Sequence, residues 1–318
     1  MDNNNNNNSV CIINNDNDFH SLIDNNNDAI NDNISLYKST TYYYILNKKY
    51  ALQYYINNNN IRYNILRTIR YPRTLMLLDL CYIDTLIDIN NLDNIHTIKL
   101  NRCKNLNSIC NINNVTHLQV QHCENLIKAN NINTIDTVDF KACEILNDIN
   151  IFNVNTLLLH WCRHIDSNSL NNISDVKILD LSYCHVNDVS MLHYVYDLNL
   201  SHTLVEDVSM LKNCYKLNLS YCMRVRDVSS LATVYDLCLK GTNVNNVTLL
   251  GSCTRLCISE CNSITDVSAL SNVSFLDISH CRNIDDVSSL VNVKKLTITG
   301  SYKIIDTSNL KDTIIIRE

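Results

Sequence analysis

The sequence predicts an α/β solenoid, an arc of about twelve short coils that each hold one parallel β-strand and one 3₁₀ turn. Three observations predict it. A hydrophobic pair of the Leu-x-Leu kind recurs every 19 to 22 residues, a Cys, Thr or Ser follows most pairs at a fixed distance, and many units close on an Asp-Val-Ser-x-Leu segment. The second hydrophobic residue of each pair marks one coil: Leu80, Leu100, Val120, Phe140, Leu159, Leu181, Leu200, Leu219, Leu239, Ile258, Ile278 and Ile298.

Each unit has room for a strand and a tight turn but not for a full helix. In one clear unit, Leu217 and Leu219 are expected to face the core and Asn218 to face solvent, which is the period-two alternation of a half-buried strand. The apolar side chains of one unit cannot offset the entropy lost in ordering about twenty residues. We therefore expect the coils to share one continuous core over residues 74–318.

The chain before the repeats divides into two segments. Residues 1–35 are rich in Asn and Asp, so we expect a leader without fixed structure. Hydrophobic residues at helical spacing over 42–55, and a second apolar run over 61–71 that ends before Pro72, predict two helices within residues 36–73. These helices are expected to cap the first coil of the repeat domain, residues 74–318.

The repeat unit resembles the leucine-rich repeat, and in that family the residue three positions after the hydrophobic pair points inward, so we expect the same here. Cys, Thr and Ser, which dominate this position, can all donate a hydrogen bond to a backbone carbonyl. A zinc site would need paired ligands such as Cys-x-x-Cys, and the sequence contains none, so we predict no metal site and no cofactor. The predicted structural ladder consists of Cys103, Cys123, Cys143, Cys162, Cys184, Cys222, Cys261 and Cys281.

A row of aspartates recurs in the closing segments, each followed two residues later by Ser or Thr. Such an Asp caps a tight turn by accepting backbone N–H groups. A calcium site is the alternative, but the glycine-rich loops of calcium-binding solenoids are missing. The row consists of Asp188, Asp207, Asp227, Asp266, Asp286 and Asp306.

The residue before the ladder Cys places four aromatic or imidazole side chains on consecutive coils. Aromatic residues dominate the energetic hot spots of protein interfaces, so this row predicts a binding surface. The alternative is that the rings stack on one another only to stabilise adjacent strands, and both roles can hold together. The predicted partner-binding residues are Trp161, Tyr183, His202, Tyr221, His160, Asp180, Asn199 and Asn218.

The repeat unit resembles the leucine-rich repeat, whose pattern is L-x-x-L-x-L-x-x-N/C-x-L. Its Cys is similar to that of the cysteine-containing class, and its I-x-D-V-S-x-L segment looks like the short repeats of internalins. The resemblance covers residues 74–318 and implies a curved solenoid that binds a protein partner. The period is shorter than the 22 or more residues usual in those classes.

Two further resemblances concern the front of the chain and its composition. The segment Ile45–Leu52 looks like the last helix of an F-box, although the opening Leu-Pro of that motif is absent. An F-box would imply an adaptor that docks on the linker subunit of a cullin-type ubiquitin ligase. The Asn, Ile, Tyr and Lys bias indicates an AT-rich genome, and the chain resembles the leucine-rich-repeat families of large DNA viruses.

The composition argues against several other functions. With 3 Gly and 1 Pro, the glycine-rich catalytic motifs cannot form, so we expect no enzyme. The net charge of −6 disfavours nucleic acid, with one exception: the stretch 38–73 carries seven Lys and Arg and no Asp or Glu, which would suit weak, salt-sensitive binding. We expect no signal peptide and no transmembrane segment. These features and the 15 Cys predict a cytoplasmic protein with reduced thiols.

Overall fold

The computed structural model describes residues 9–13, 42–46, 74–82, 84, 86–90 and 95–317. The chain forms two compact units. The first comprises Met1–Glu144 with Asp148–Val154, and the second comprises Ile145–Asn147 with Asn155–Glu318. The prediction of a single repeat domain over 74–318 stays a prediction.

The first unit is built from parallel strands in two rows. One row pairs Thr74–Asp79 with Ile95–Lys99, Ile95–Lys99 with His117–Gln119, and His117–Gln119 with the end of Lys128–Asp139. The other row pairs Asp88–Asn90 with Ser108–Asn113, and Ser108–Asn113 with the start of Lys128–Asp139. Each described coil of this unit therefore contributes two strands. The strands are β1 (Ser9–Ile13), β2 (Tyr42–Leu46), β3 (Thr74–Asp79), β4 (Asp88–Asn90), β5 (Ile95–Lys99), β6 (Ser108–Asn113), β7 (His117–Gln119), β8 (Lys128–Asp139) and the start of β9 (Asp148–Leu158).

The prediction of one 3₁₀ turn per coil is wrong for the described residues of this unit, where a second strand takes that place. Its closing segments lack Asp-Val-Ser and alternate Ile with Asn instead. In β6, Ile109 and Ile112 are both buried although they lie three residues apart, because Asn111 between them has φ of 55°. A left-handed Asn bends the strand without breaking its pairing, and β-branched Ile favours the extended backbone.

The second unit has the predicted coil of one strand and one tight turn. Its strands pair in parallel and in chain order from Ile178–Asp180 to Ile314–Ile316. Leu179, Leu198 and Leu217 are in register. The strands are β10 (Ile173–Ser174), β11 (Ile178–Asp180), β12 (Asp197–Asn199), β13 (Lys216–Asn218), β14 (Asp236–Cys238), β15 (Arg255–Cys257), β16 (Phe275–Asp277), β17 (Lys295–Thr297) and β18 (Ile314–Ile316). The 3₁₀ helices are Ser169–Asn172, Ser190–Leu192, Ser209–Asn213, Ser229–Thr233, Leu250–Ser252 and Ser268–Leu270.

The aspartate row shapes the start of these turns. In each case the carboxylate accepts a hydrogen bond from the backbone N–H two residues on, as Asp227 does from Ser229 at 2.9 Å. This hydrogen bond lowers the pKa of the Asp227 carboxyl below its ordinary value. The same contact, at 2.8 to 2.9 Å, is made by Asp188, Asp207, Asp266, Asp286 and Asp306.

The core of the second unit is a column of fully buried aliphatic side chains. In the coil that contains β13, Val205, Val208, Leu211, Leu217 and Leu219 are each at most 1% exposed. Equivalent residues of the neighbouring coils are buried to the same extent. The inward positions read from the period-two pattern are therefore correct in this unit.

The front of the chain differs from its prediction. Tyr42–Leu46 forms strand β2, not the start of a helix, and it pairs in parallel with β1 on one side and β3 on the other. Four consecutive residues of high strand propensity, Tyr42–Ile45, outweigh the helical spacing of the longer run. Likewise Ser9–Ile13 is a strand within the expected leader. The remaining predicted helix and F-box-like residues, 47–73, lie outside the described residues.

Candidate protein-binding surface

In each coil the residue that directly precedes the ladder position of the sequence (Cys, Thr or Ser, and Ile83 in the first coil) lies in a left-handed turn just after the strand. At all twelve of these positions φ lies between 56° and 67°. The N–H of such a residue continues the hydrogen bonding to the next coil, as Trp161 does to the Ser182 carbonyl at 3.0 Å and Tyr221 to the Lys240 carbonyl at 2.7 Å. We name these positions the left-handed row: Tyr82, Arg102, His122, Ala142, Trp161, Tyr183, His202, Tyr221, Gly241, Glu260, His280 and Gly300.

Ten of the twelve members of the left-handed row are residues other than glycine, the residue that suits this backbone best. A non-glycine residue pays roughly 1–2 kcal/mol for a left-handed conformation, and Asn tolerates it better than most. The sequence is rich in Asn, yet no Asn occupies any of the twelve positions. Backbone preference therefore does not account for the side chains found there.

Four members of the row form a continuous pile of rings in the second unit, which we name the aromatic stack: Trp161, Tyr183, His202 and Tyr221. The ring centroids of Trp161 and Tyr183 lie 4.9 Å apart with planes tilted by 33°. Tyr183 and His202 are stacked at 4.2 Å and 12°, and His202 and Tyr221 at 4.7 Å and 22°. The sequence predicted this juxtaposition, and the structure brings all four rings together.

The two ends of the aromatic stack carry charged groups. The Arg163 guanidinium lies over the Trp161 ring, 4.7 Å from its centroid. At the other end the Tyr221 hydroxyl donates to Glu260 Oε2 at 3.0 Å, and Lys240 Nζ pairs with the same carboxylate at 3.1 Å. Partial burial between the flanking rings lowers the pKa of the His202 imidazole, so it stacks as the neutral ring at pH 7.

His160 lies against the edge of the stack and its tautomer follows from its partners. Its ring meets Tyr183 edge-on, with centroids 5.3 Å apart. Its Nδ1 is 2.5 Å from the Ser182 hydroxyl, which itself donates to Asp180 Oδ1. Because the hydroxyl has only one proton, Nδ1 must be the donor to Ser182. This order differs from a catalytic triad, in which the carboxylate holds the imidazole and the imidazole activates the hydroxyl.

The polar residues predicted to contact a partner use their side-chain oxygens within the fold. Asp180, Asn199 and Asn218 each accept the backbone N–H of the serine two residues on, at 2.8, 3.1 and 3.0 Å. Each therefore shapes the end of its own strand. In the described part of the chain, the side-chain NH₂ groups of Asn199 and Asn218 make no hydrogen bond, which leaves them as donors on the half-buried face of the sheet.

The predicted cysteine ladder lies inside the coils. The Cys222 thiol donates to the Leu200 carbonyl of the preceding coil at 3.0 Å, and Ser301 makes the same bond to Ile278 at 2.8 Å. Burial raises the pKa of the Cys184 thiol to about 12, so it remains a protonated donor. The same bond to the preceding coil is made by Cys103, Cys123, Cys143, Cys184, Cys261 and Cys281, and Cys162 is buried at the equivalent position.

The sequence interpretation missed a second pile of rings at the opposite end of the strands. Tyr196 and Tyr215 stack at 4.7 Å with planes within 4°, and Tyr215 and Tyr235 at 4.6 Å within 9°. Each of these tyrosines precedes a strand by one residue and is between 39% and 53% exposed. In the sequence, each of these tyrosines lies four residues before the second hydrophobic residue of its Leu-x-Leu pair. This constant spacing could have predicted the stack.

Two solved structures resemble the chain weakly. Internalin InlF from Listeria monocytogenes matches with a TM-score of 0.37 at 13% identity, over 73% of this chain and 87% of that one. The functional domain of InlJ from the same organism, which includes a cysteine ladder, matches with a TM-score of 0.41 at 16% identity. That match covers 77% of this chain and 56% of the InlJ domain. No family model and no curated protein matches the chain.

No helix within the described residues has both the length and the apolar character that crossing a membrane requires.

Proposed function

We propose that the protein is a protein-interaction scaffold whose second unit binds a protein partner through the aromatic stack and the adjoining His160. The observation that carries the proposal is the presence of four rings on consecutive left-handed positions. Each of these residues pays roughly 1–2 kcal/mol in backbone strain, whereas each stacked pair returns about 0.5–1.5 kcal/mol. Ring stacking alone therefore offsets only part of that strain.

The composition of the stack fits the centre of a protein interface. Trp, Tyr and Arg are the residues most often found at interface hot spots, and here Arg163 covers Trp161 beside Tyr183. The rings are held by their neighbours, so a partner that binds them orders few additional side chains. The NH₂ groups of Asn199 and Asn218 add hydrogen-bond donors next to this apolar patch.

The experiment compares the full chain with its Trp161→Ala/Tyr183→Ala variant as bait in the native cell. We expect the double variant to lose partners that the wild-type chain captures, while its Tm falls by only a few degrees. The matched control is Tyr302→Ala, which removes a ring that is 92% exposed and outside the stack. The control is expected to keep both the partners and the Tm.

The opposite pattern would overturn the proposal. If the double variant keeps the same partners but melts far below the wild-type chain, the rings serve only to hold adjacent strands together. Purified partner and bait should then also bind with an unchanged Kd, measured by calorimetry with folded protein at a temperature well below both melting transitions.

Two further roles and a viral source stay predictions. The ligase-adaptor role depends on Ile45–Leu52, of which Ile45 and Leu46 lie in β2 and the rest lies outside the described residues. Weak nucleic-acid binding depends on the basic stretch 38–73, and a viral source depends on composition alone. Co-purification of the ligase linker subunit with the full chain, but not with a 74–318 truncation, would support the adaptor. A shift of nucleic acid that disappears near physiological salt would support the second role.

A further inference from the structure

Two cysteines stand directly opposite each other on neighbouring strands of the second unit. Cys238 of β14 and Cys257 of β15 are register partners in a parallel pair. The residues on both sides of each one, such as Leu237 and Leu239, are buried, so both thiols project from the same outer face of the sheet. Adjacent parallel strands lie about 4.8 Å apart, which is within the Cα separation of roughly 4.4–6.8 Å that a disulfide spans.

Exposure separates this pair from the other cysteines. Among the fourteen cysteines whose side chains the structure describes, Cys110, Cys238 and Cys257 are half-buried and the other eleven are buried. The ladder thiols are also one coil apart, but they donate to backbone carbonyls, and burial raises the pKa of Cys281, for example, to about 12. A small oxidant therefore meets the outer pair first.

The surroundings of the two outer thiols differ in a way that favours one thiolate. The Cys238 sulfur interacts with the Cys257 thiol, with the Ser220 hydroxyl at 3.1 Å and with the Lys240 backbone N–H, and these hydrogen bonds hold its pKa below the ordinary thiol value. The pKa of Cys257 is raised, because its thiol hydrogen bond to Cys238 and its burial both favour the protonated form. The thiolate is the reactive form of cysteine, which makes Cys238 the attacking group.

We propose that Cys238 and Cys257 form a redox-active dithiol that closes a reversible disulfide between β14 and β15 when the protein meets hydrogen peroxide. The Cys238 thiolate attacks one peroxide oxygen, the O–O bond breaks, and the departing hydroxide takes up a proton to leave as water. The resulting Cys238 sulfenic acid is attacked by the Cys257 sulfur, so the S–O bond breaks, the S–S bond forms and a second water leaves. Two thiols lose two electrons to one peroxide, and a dithiol reductant such as dithiothreitol restores them.

The reaction changes the outer face and leaves the core in place. In register, Asn218, Cys238, Cys257 and Asp277 form one row across β13 to β16. Disulfide formation removes the sulfur contacts to the Ser220 hydroxyl and to Asp277 Oδ2, which lies 3.6 Å from Cys257. The proposal requires no partner protein, so it stands or falls separately from the proposed scaffold function.

The test uses the reduced full-length chain, one equivalent of hydrogen peroxide, rapid alkylation and peptide mapping under non-reducing conditions. We expect one dominant cross-linked peptide pair that contains Cys238 and Cys257 and disappears after dithiothreitol. At pH 7 before oxidation, Cys238 should react with iodoacetamide at least about tenfold faster than the buried Cys222. The matched control Cys110→Ser removes the other half-exposed thiol and should leave the cross-link yield unchanged.

Single substitutions distinguish the attacking thiol from the resolving one. In Cys257→Ser the Cys238 sulfenic acid should persist and be trapped by dimedone, whereas in Cys238→Ser dimedone labelling at Cys257 should be absent or at least tenfold lower. Circular dichroism confirms that each variant is folded. The proposal is overturned if peroxide carries Cys238 to the sulfinic acid without any cross-link to Cys257, or if the buried ladder thiols cross-link equally fast in folded protein.

Discussion

Gly241→Ala tests whether the left-handed row and the aromatic stack are physically coupled. Gly241 has φ of 66°, and a Cβ built on it would lie 2.6 Å from two carbons of the Tyr221 ring. A methyl group there needs at least about 3.4 Å, so either the ring or the backbone must move. The ring is restrained by its stacking on His202 and by its hydroxyl bond to Glu260.

The loss of stability expected from Gly241→Ala has a backbone part and a packing part, which Tyr221→Ala can separate. Placing Ala in a left-handed conformation costs roughly 1–2 kcal/mol, part of which is returned because Ala restricts the unfolded chain. Overpacking against the ring adds about 1–3 kcal/mol. Gly241→Ala should therefore lower the free energy of unfolding by about 2–4 kcal/mol, which is a fall in Tm of about 5–15 °C for a unit of this size.

The assay measures the free energy of unfolding in urea, monitored by two independent spectroscopic signals. It is applied to the wild type, Gly241→Ala, Tyr221→Ala and the double variant. In the Tyr221→Ala background the ring is gone, so Gly241→Ala should cost only the backbone part, about 1 kcal/mol. The control is Ala142→Gly, which relieves the same backbone strain at φ of 56° and should leave stability unchanged or raise it by up to about 1 kcal/mol. Equal costs of Gly241→Ala in the two backgrounds would refute the coupling.

Three further substitutions follow from the contacts. Cys222→Ala leaves a buried carbonyl without its donor and should lower the free energy of unfolding by about 1–3 kcal/mol, whereas Cys222→Ser, which keeps a donor as Ser301 does, should cost less in the same urea titration. Leu217→Ala, at a fully buried position, should lower the free energy of unfolding by about 3–5 kcal/mol. The control is Lys216→Ala, at an exposed position, which should leave the free energy of unfolding nearly unchanged. Asp227→Ala should lower the Tm at pH 7. The folded-state pKa of Asp227 is depressed, so its stabilising effect is present above the unfolded pKa of about 4 and is lost as pH falls through the folded value. The Tm difference between the wild type and Asp227→Ala should therefore shrink as pH falls below about 4 and vanish below the folded pKa, and a difference that stays constant from about pH 6 to about pH 2 would contradict this role.

The sequence was most informative where a residue type has one physical use in the coil. The period-two alternation of a strand places Leu217 and Leu219 in the interior, and the resemblance to leucine-rich repeats implies the same for Cys222. Asp227 was assigned to a turn because its carboxylate suits a backbone N–H. In the described second unit these assignments agree with the burial and the hydrogen bonds.

Conformation was harder to predict where the usual residue cue is absent. A left-handed turn is normally signalled by Gly or Asn, so Trp161 and Tyr183 gave no indication of one. The second strand of the first-unit coils was missed because Ile-Asn alternation is compatible with both a turn and a strand. Asn218 was assigned to partner binding, yet its oxygen is used by the Ser220 N–H, a local bond that spacing alone does not reveal.

The left-handed row sets the direction of the rings in the aromatic stack. A residue in this conformation donates its backbone N–H to a carbonyl of the next coil, as Tyr221 does to Lys240. The thiol or hydroxyl of the following residue points into the core and donates to the preceding coil, as Cys222 does to Leu200. The direction of the ring is then set by one backbone hydrogen bond and by the thiol hydrogen bond of the next residue, and not only by the rotamer of the ring. Rings at this position on consecutive coils are separated by about the spacing between neighbouring strands. This spacing places the rings of His202 and Tyr221 in stacking contact. The strain at each turn therefore fixes the geometry of the surface that we propose binds the partner, and relieving it by substituting glycine into the stack would remove the ring and the binding contact together.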